Sequence, residues 1–134
     1  MDVFSPKERS AIMRKIRGKD TKPELTLRKL LYQRGLRYRL HAKDIVGKPD
    51  IVFRSRKIVI FVDGDWWHGR NYRKEAERYP PFWQEKIKRN MKRDRKVNRE
   101  LKKVGWDVIR VWQKDLQKQP DKYAQEIFDY LKSL

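Results

Sequence analysis

Residues 47–69 read GKPDIVFRSRKIVIFVDGDWWHG and contain two apolar runs, each with an aspartate at one end. Asp50 precedes the run Ile51–Phe53, and Asp63 follows the run Ile58–Val62. Short runs rich in β-branched residues, separated by a polar segment, are typical of two paired strands. The sequence therefore predicts a β-hairpin that carries both acids at the same end.

The length of the turn decides whether the two acids share a face of the sheet. With a two-residue loop at Ser55–Arg56, Asp50 lies opposite Phe61, on the same face as Asp63 and one diagonal step away. Two carboxylates at that spacing are able to share one Mg²⁺, whereas a slip of one residue sends one acid to the other face. Aspartate beside Pro or Gly is also a common turn former, so a purely structural role for either acid stays open.

The chain is strongly basic. It has 36 Lys and Arg against 18 Asp and Glu, which gives a formal net charge of +18. So much like charge opposes a compact state unless a polyanion neutralises it, and this favours nucleic acid as the partner. An anionic membrane surface is the competing partner, but no segment combines a broad apolar face with a basic one.

Length and cysteine content limit the other possibilities. A chain of 134 residues is long enough for a core of its own, so we expect one domain over residues 1–134. Because the pattern leaves no spare apolar surface, we expect a monomer. Because Cys is absent, disulfides, thiolate nucleophiles and Cys-type zinc sites are excluded. The N-terminus lacks the apolar core of a signal peptide, which predicts a cytoplasmic protein.

The first predicted helix covers residues 5–18, from a Ser-Pro start to Gly18. Met13 and Ile16 belong to its apolar side, which has the helical spacing of a core-facing stripe. Two interpretations stay open. The stripe packs on the core, or the helix approaches DNA and Met13 or Ile16 touches it.

The second predicted helix begins at Thr21 and ends before Gly35. Thr21 and Glu24 have the spacing of a capping box. Glu24 therefore either caps the helix or faces the acidic hairpin, where its carboxylate orients a catalytic group. The alternation of residues 36–40 then predicts a half-exposed strand.

Residues 82–104 form the longest helical pattern, which Gly105 closes. The segment carries ten basic residues against three acids, so it is the leading surface for tracking phosphates. Polar side chains interrupt its apolar stripe at Lys86, Asn90 and Asp94. This row either forms a satisfied buried network or meets base edges or the active site.

A fourth strand is predicted at residues 106–112, and helical signals resume at Asp115 and again from Pro120 to Leu131. The order helix, helix, strand, strand, strand, helix, strand, helix predicts an α/β fold in which helices flank a mixed central sheet.

Five segments, in this order, closely resemble the very-short-patch repair (Vsr) DNA mismatch endonucleases over nearly the whole chain. They are MRKIRGKDTKPE, GKPDIVF, VIFVDGDWWHG, FWQEKIKRNMKRD and GWDVIRVW. The hairpin alone is the general pattern of restriction-endonuclease-like nucleases, whose common version ends in Glu-x-Lys where this chain has Asp63-Gly64-Asp65. The resemblance implies a restriction-endonuclease-like fold in a prokaryotic protein that works on DNA in the cytoplasm.

The resemblance also implies catalytic roles by position. Asp50 matches the metal-binding aspartate, and Asp63 matches a site that binds the metal directly or through water. His68 matches the histidine that assists proton transfer, and Glu24 matches an acid that orients this histidine. A lone His on a loop is more often an ordinary surface residue, but its place a few residues after the acids favours the catalytic role.

DNA-contacting roles follow from the resemblance in the same way. Aromatic wedges beside a mismatch match Trp66, Trp67 and Trp83. A helix row near the recognised base pair matches Lys86, Asn90 and Asp94, and residues that enter from the other groove match Met13 and Ile16. Of two adjacent tryptophans one usually packs in a core, so the wedge and the core role both stay open for Trp66 and Trp67.

The chain departs from the better-known members at their structural zinc site. The Cys and His ligands of that site match Asp65, Arg70, Tyr72 and Lys114 here, a set that does not make a zinc site. We therefore expect no structural zinc, with Asp65 free to pair with Arg70 or Lys114 in its place.

Together these features predict a Mg²⁺-dependent endonuclease that nicks one strand of double-stranded DNA at a T·G-type mismatch, the product of deamination, to start repair. Asp50 and Asp63 are the predicted metal ligands. A nuclease of the same fold with a branched or unpaired DNA target is one alternative. A DNA-binding protein without catalysis is the other, although it leaves Asp50, Asp63 and His68 without a common purpose.

Overall fold

The predicted hairpin forms the centre of the β-sheet in the computed structural model, which describes residues 20–65, 69–70 and 80–134. Four strands lie side by side in chain order: β1 (Arg39–Leu40), β2 (Ile51–Phe53), β3 (Ile58–Asp63) and β4 (Asp107–Trp112). The β1–β2 and β2–β3 pairs are antiparallel and the β3–β4 pair is parallel. The sheet is therefore mixed, as predicted.

Helices cover both faces of this sheet. They are α1 (Lys22–Gln33), α2 (Pro81–Lys103), α3 (Gln113–Lys118) and α4 (Pro120–Lys132). Helices α1, α3 and α4 share one apolar cluster with the sheet, and α2 shares a second cluster with the opposite face. The predicted α/β class, a single unit with a mixed sheet between helices, is confirmed.

The first face holds the larger core. Ile51, Ile58 and Ile60 of the hairpin are fully buried there against Leu27 of α1 and Leu116 of α3. On the second face Val52, Val59 and Phe61 pack against Val97 and Leu101 of α2. Each buried Leu, Ile or Phe side chain contributes about 1.5–3 kcal/mol to folding. A sheet buried on both sides explains why the hairpin sequence is apolar without interruption.

The hairpin has the predicted register but not the predicted turn. Phe53 pairs with Ile58 and Ile51 with Ile60, so four residues rather than two connect the strands. They form a 3₁₀ turn, Arg54–Arg56, followed by Lys57 in the left-handed region at φ 54°. A four-residue loop centred on the same point leaves the pairing unchanged.

Two predictions about the segment before the hairpin need correction. The strand predicted over residues 36–40 is limited to Arg39–Leu40, because Leu36 is buried in the first core. The predicted capping box is also wrong. Helix α1 begins after Thr21, but Thr21 makes no side-chain capping bond, and Glu24 points into the protein.

The long basic helix is confirmed within one residue at each end, since α2 runs from Pro81 to Lys103 and Gly105 follows it at φ 92°. The helix predicted over residues 5–18, with Met13 and Ile16, lies outside the described residues. Among the residues that the structure describes, no helix is both long and apolar enough to span a bilayer.

Candidate active site

The two acids of the hairpin lie at one end of the sheet, where β2 begins and β3 ends. Continuing the hairpin register by one residue places Asp50 opposite Phe61, as predicted. The ladder changes at this point, because the Asp50 N–H donates to Ile60 O at 3.0 Å and the Val62 N–H donates to the Asp50 carboxylate at 2.7 Å. The side chain of Asp50 thus takes the place of a backbone acceptor at the open end of the hairpin, and the bond from Val62 fixes its orientation.

Asp50 sits in surroundings that disfavour its negative charge. Its side chain is 19% exposed. Burial, the largest cause, raises the pKa of Asp50 to about 6, and the nearby charges of Glu24 and Asp63 act in the same direction. The Val62 N–H and His41 act the other way. A cation beside Asp50 would therefore favour the ionised form of its carboxylate.

Glu24 reaches the same site from the first turn of α1. It is 1% exposed. Arg28 Nη2 lies 2.5 Å from its carboxylate, and His41 Nε2 lies 3.4 Å away. Because Arg28 and His41 both face this buried carboxylate, Glu24 points into the protein and not back to the start of the helix.

His41 is a member of the site that the sequence did not reveal. Its Nε2 faces Asp20 at 3.3 Å and Glu24 at 3.4 Å, while its Nδ1 lies 3.8 Å from Asp50. The backbone of His41 is left-handed, with φ 45°, and its N–H donates to Asp50 O at 3.1 Å. One signal was available, because His41 is one of only two histidines in the chain.

Asp20, Glu24 and His41 bring three potential metal-ligating atoms within 4.8 Å of one another. Arg28 already supplies a positive charge there, since its Nη2 lies 2.5 Å from both Asp20 and Glu24. The cluster is therefore an ion-pair network built around a guanidinium, and it borders the Asp50 site.

Asp63 is buried, with 5% exposure, and is paired with an arginine from β4. Arg110 Nη1 lies 3.0 Å from each of its carboxylate oxygens. The sequence held one signal for this pair, because Arg110 is the one basic residue in the strand Asp107–Trp112 and apolar residues flank it.

Of the three acids, Glu24 is paired with Arg28 and Asp63 with Arg110. In the described part of the chain, Asp50 has no Lys or Arg within ion-pair distance, and its one such neighbour is His41. A desolvated carboxylate beside two other acids is a fitting ligand for a hard divalent cation. The residues present thus fit a metal at Asp50.

Helix α2 brings its polar row to the same side of the sheet. Lys86, Asn90 and Asp94 are all partly buried. Asn90 accepts a hydrogen bond from Arg93 at 3.1 Å, and Asp94 lies 3.8 Å from Arg110. The interpretation of a bonded polar network therefore holds for at least part of the row.

The two aromatic residues at the start of α2 differ sharply in exposure. Trp83 is 2% exposed, whereas Phe82 is 57% exposed and packs edge-on against it with a centroid distance of 5.2 Å. Lys86 Nζ lies 5.0 Å from the Phe82 ring centroid and 5.9 Å from that of Trp83. The sequence singled out Trp83, but Phe82 is the ring that α2 presents to solvent.

A basic concavity of about 510 Å³ runs along α2. The side chains that line it are Lys86, Arg89, Asn90, Lys92, Arg93 and Lys96. Five cations around one depression form a surface that suits the phosphates of a nucleic acid.

Three of the four positions that the resemblance matches to zinc ligands lie in the described part of the chain, hold charged residues and contact one another. Arg70 Nη1 lies 2.9 Å from Asp65 and 2.8 Å from Asp115. The backbone N–H of Lys114 donates to Asp65 at 2.9 Å, so Lys114 contributes its main chain to the cluster. Tyr72 lies outside the described residues. The pairing expected of Asp65 with Arg70 is present.

Several predicted site residues also lie outside the described part of the chain. They are His68, Trp66, Trp67, Met13 and Ile16. Their roles stay predictions. The structure thus brings together Asp50, Glu24 and His41 at one end of the sheet, and Arg110 connects Asp63 to Asp94 of α2.

Comparison with known proteins gives the family of the chain. The family model described as "DNA mismatch endonuclease Vsr" matches residues 1–74. The type II nicking enzyme V.HpaIIP of Haemophilus parainfluenzae is 43% identical over 131 residues, covering 95% of this chain and 93% of that protein. The type II nicking enzyme V.NmeDIP of Neisseria meningitidis serogroup C is 40% identical over 130 residues, covering 95% and 88%.

The DNA mismatch endonuclease Vsr of Escherichia coli K12 is 37% identical over 115 residues, covering 84% of this chain and 73% of that protein. A family match over more than half of the chain and identities of this size across most of each relative show that the chain belongs to the Vsr family and is a strand-nicking DNA endonuclease.

Proposed function

We propose that this endonuclease nicks one strand of double-stranded DNA at a T·G-type mismatch in a Mg²⁺-dependent reaction that starts repair. The observation that carries the proposal is Asp50, a desolvated carboxylate beside two other acids, at the end of the sheet where Asp94 of the basic helix α2 approaches Arg110, the partner of Asp63. The family description supports a mismatch as the target. In this proposal the working state is a monomer on DNA in the cytoplasm.

Asp50 and Asp63 are the proposed ligands, Asp50 directly and Asp63 directly or through water. When bound there, Mg²⁺ supplies a more acidic water and stabilises charge on the phosphate. Asp50 is suited to the task because Val62 N–H and His41 hold its carboxylate in place. The charge of Glu24 adds to the negative field at this site.

His68 is proposed to move a proton to or from water, a role that its ordinary proton affinity near neutral pH allows. Glu24 is proposed to orient that histidine. In the described residues its carboxylate is held by Arg28 and faces His41, so its position is fixed by α1 and the strand β1 together.

DNA is proposed to lie along α2, with phosphates at the basic concavity and the row Lys86, Asn90 and Asp94 near the recognised pair. Trp66, Trp67 and Trp83 are the proposed wedges. Inserting an aromatic ring costs a few kcal/mol of unstacking, and this cost is smallest at a mismatch. Because Trp83 is 2% exposed, its insertion requires the start of α2 to rearrange, whereas Phe82 is already accessible.

The test is a panel of end-labelled DNA substrates that share the same flanking sequence and differ only at the central site, which is matched, T·G, branched or locally unpaired. Each is incubated with the wild-type protein or Asp50→Asn, in Mg²⁺ or in chelator. We expect a single nick in the T-containing strand of the T·G duplex, in Mg²⁺ only and with the wild-type protein only.

Equal nicking of matched and T·G duplexes contradicts the mismatch target. Faster nicking of the branched or unpaired substrate favours a nuclease of the same fold with a different DNA structure as its target.

A further inference from the structure

Arg110 is a charged residue in the middle of strand β4, paired in register with Phe61 of β3. Its guanidinium carbon lies 4.1 Å from the centroid of the Phe61 ring, and its side chain is 19% exposed. Stacking on an aromatic ring fixes the plane of the guanidinium. The donors of Arg110 are therefore held in defined directions.

Those donors reach two different elements. On the strand side, Nη1 lies 3.0 Å from both oxygens of Asp63. On the helix side, Nε donates to Asn98 Oδ1 at 2.8 Å, and Nη1 lies 3.8 Å from Asp94. Asp94 and Asn98 are four residues apart, so they lie on one face of α2. One guanidinium thus connects the catalytic strand to the helix.

Neutralising Asp63 does not need this geometry. A buried carboxylate requires a positive charge, and a lysine would supply one. The additional bond to Asn98 and the approach to Asp94 use the planar fork of an arginine, which a single ammonium group does not reproduce. The row Lys86, Asn90 and Asp94 continues at the same four-residue spacing to Asn98. The last two residues of this extended row, Asp94 and Asn98, are the ones that contact Arg110.

We propose that Arg110 is a positioning residue that couples the helix carrying the DNA-contacting row to the catalytic acid Asp63. Through Asn98 and Arg110, the position of α2 sets the position of the Asp63 carboxylate, so the nicking step depends on the contact between helix and strand. This inference rests on the proposed function of Asp63 and α2.

The experiment is a double-mutant cycle with Arg110→Lys and Asn98→Ala. On whichever duplex of the panel the wild-type protein nicks fastest, the single-turnover nicking rate is measured at saturating DNA, alongside the Kd for DNA without Mg²⁺. We expect each single variant to slow nicking about 10-fold, since a small misplacement of a catalytic group is costly, while the Kd changes less than about threefold. Because both variants break the same contact, the double variant is expected to nick no more slowly than Arg110→Lys alone.

Arg54→Lys is the matched control, because Arg54 is exposed and pairs with Asp44 at 2.7 Å. It lies in the turn of the hairpin, at the opposite end from Asp50 and Asp63. The variant is expected to nick at the wild-type rate. Thermal melts of all variants separate slower chemistry from loss of folded protein. If Arg110→Lys does not melt cooperatively, Asn98→Ala and Asp94→Asn provide the same test from the helix side.

Wild-type nicking by Asn98→Ala, or rate losses that simply multiply in the double variant, would overturn the coupling. A merely structural role for Arg110 predicts a lower melting temperature with an unchanged rate per folded molecule. The proposed function fails separately, because a wild-type protein that does not prefer the mismatch shows this before any variant is compared.

Discussion

Asp50, Asp63 and Glu24 are three acids within one small region, but the protein treats them differently. Glu24 and Asp63 each have an arginine partner, whereas Asp50 is partly buried beside their charges. A group that is held in unfavourable surroundings lowers stability, and such groups are found where function requires them. Asp50 is therefore the residue at which activity and stability should oppose each other.

The variant Asp50→Asn is expected to abolish nicking and to stabilise the metal-free protein. Its amide oxygen still accepts the Val62 N–H, while the charge that Glu24 and Asp63 oppose is gone. Burial raises the pKa of Asp50 from 3.8 to about 6. This corresponds to about 1–3 kcal/mol of added stability in the variant at neutral pH. Chemical denaturation in chelator measures it, and DNA affinity should be unchanged or higher.

The pH dependence of that difference provides the control. Folding favours the protonated form of Asp50, so the folded state binds more protons than the unfolded chain when the pH lies between their pKa values, 3.8 and about 6. Wild-type stability therefore falls relative to the variant as the pH rises through this window. The two proteins should converge below about pH 4, and a constant difference across pH would show that the charge of Asp50 is not its cause.

His68→Ala is expected to slow the nicking step by about 10²–10⁴, the usual contribution of a positioned acid or base. Single-turnover rates at saturating DNA measure the loss, with the Kd for DNA as the control for binding. An unchanged rate would remove His68 from the mechanism.

Residue identities at the site were only partly predictable. Asp50 and Asp63 could be found because acids at strand ends stand out against apolar runs. His41 could not be assigned in the same way, since its role depends on α1 bringing Asp20 and Glu24 against the end of β1. Contacts between elements that are distant in sequence leave no local pattern.

At the scale of the elements, the start of α2 presents one buried and one exposed aromatic residue. Trp83→Ala is expected to destabilise the protein by about 3–5 kcal/mol, because a ring that is 2% exposed leaves a cavity. Phe82 is exposed, so Phe82→Ala should change the free energy of unfolding by less than about 0.5 kcal/mol, not counting the loss of its ring contact with Trp83. Denaturation curves of the two variants test this contrast.

The same pair of variants separates folding from DNA contact. If the exposed ring of Phe82 touches DNA, Phe82→Ala weakens binding while its melting curve stays close to that of the wild-type protein. Equal losses of stability in the two variants would contradict the burial difference.

Elements whose hydrophobic pattern is long or uninterrupted were predicted well. The hairpin register follows because only one pairing buries both of its apolar runs. The positions of α2 and β4 follow from the apolar residues that each of them turns to the core. The predicted strand over residues 36–40 was too long, because Leu36 packs in the core instead of extending the ladder. The capping box failed because ion pairs with Arg28 and His41 draw Glu24 away from the helix end.

At the scale of the whole molecule, the cluster of Asp65, Arg70 and Asp115 connects the end of β3 to the start of α3. Asp65 is 8% exposed at its side chain and accepts the Lys114 N–H as well as Arg70. Asp65→Ala removes the acceptor of the Lys114 N–H and one of the two carboxylates that pair with Arg70, so we expect a loss of more than about 1 kcal/mol, larger than for an exposed ion pair. Asp44→Ala, which removes an exposed partner of Arg54, is the matched control.

A fold held together by this cluster should not depend on zinc. Thermal melts with and without a strong chelator are expected to coincide, and elemental analysis should find no stoichiometric zinc. A large fall in melting temperature on chelation would show that a structural metal is bound elsewhere in the chain.

The parallel pairing of β3 with β4 has a consequence for how the enzyme acquires activity as it folds. Residues 51–63 form a local hairpin, but β4 joins it only after the whole segment 64–106 has been closed into a crossover. Closing so long a loop costs entropy before its contacts are gained, so β4 should dock late. Asp63 would then gain its ion-pair partner Arg110 only in this late step. In refolding from denaturant, the hairpin core should become protected against hydrogen exchange first, and nicking activity should return with the protection of β4.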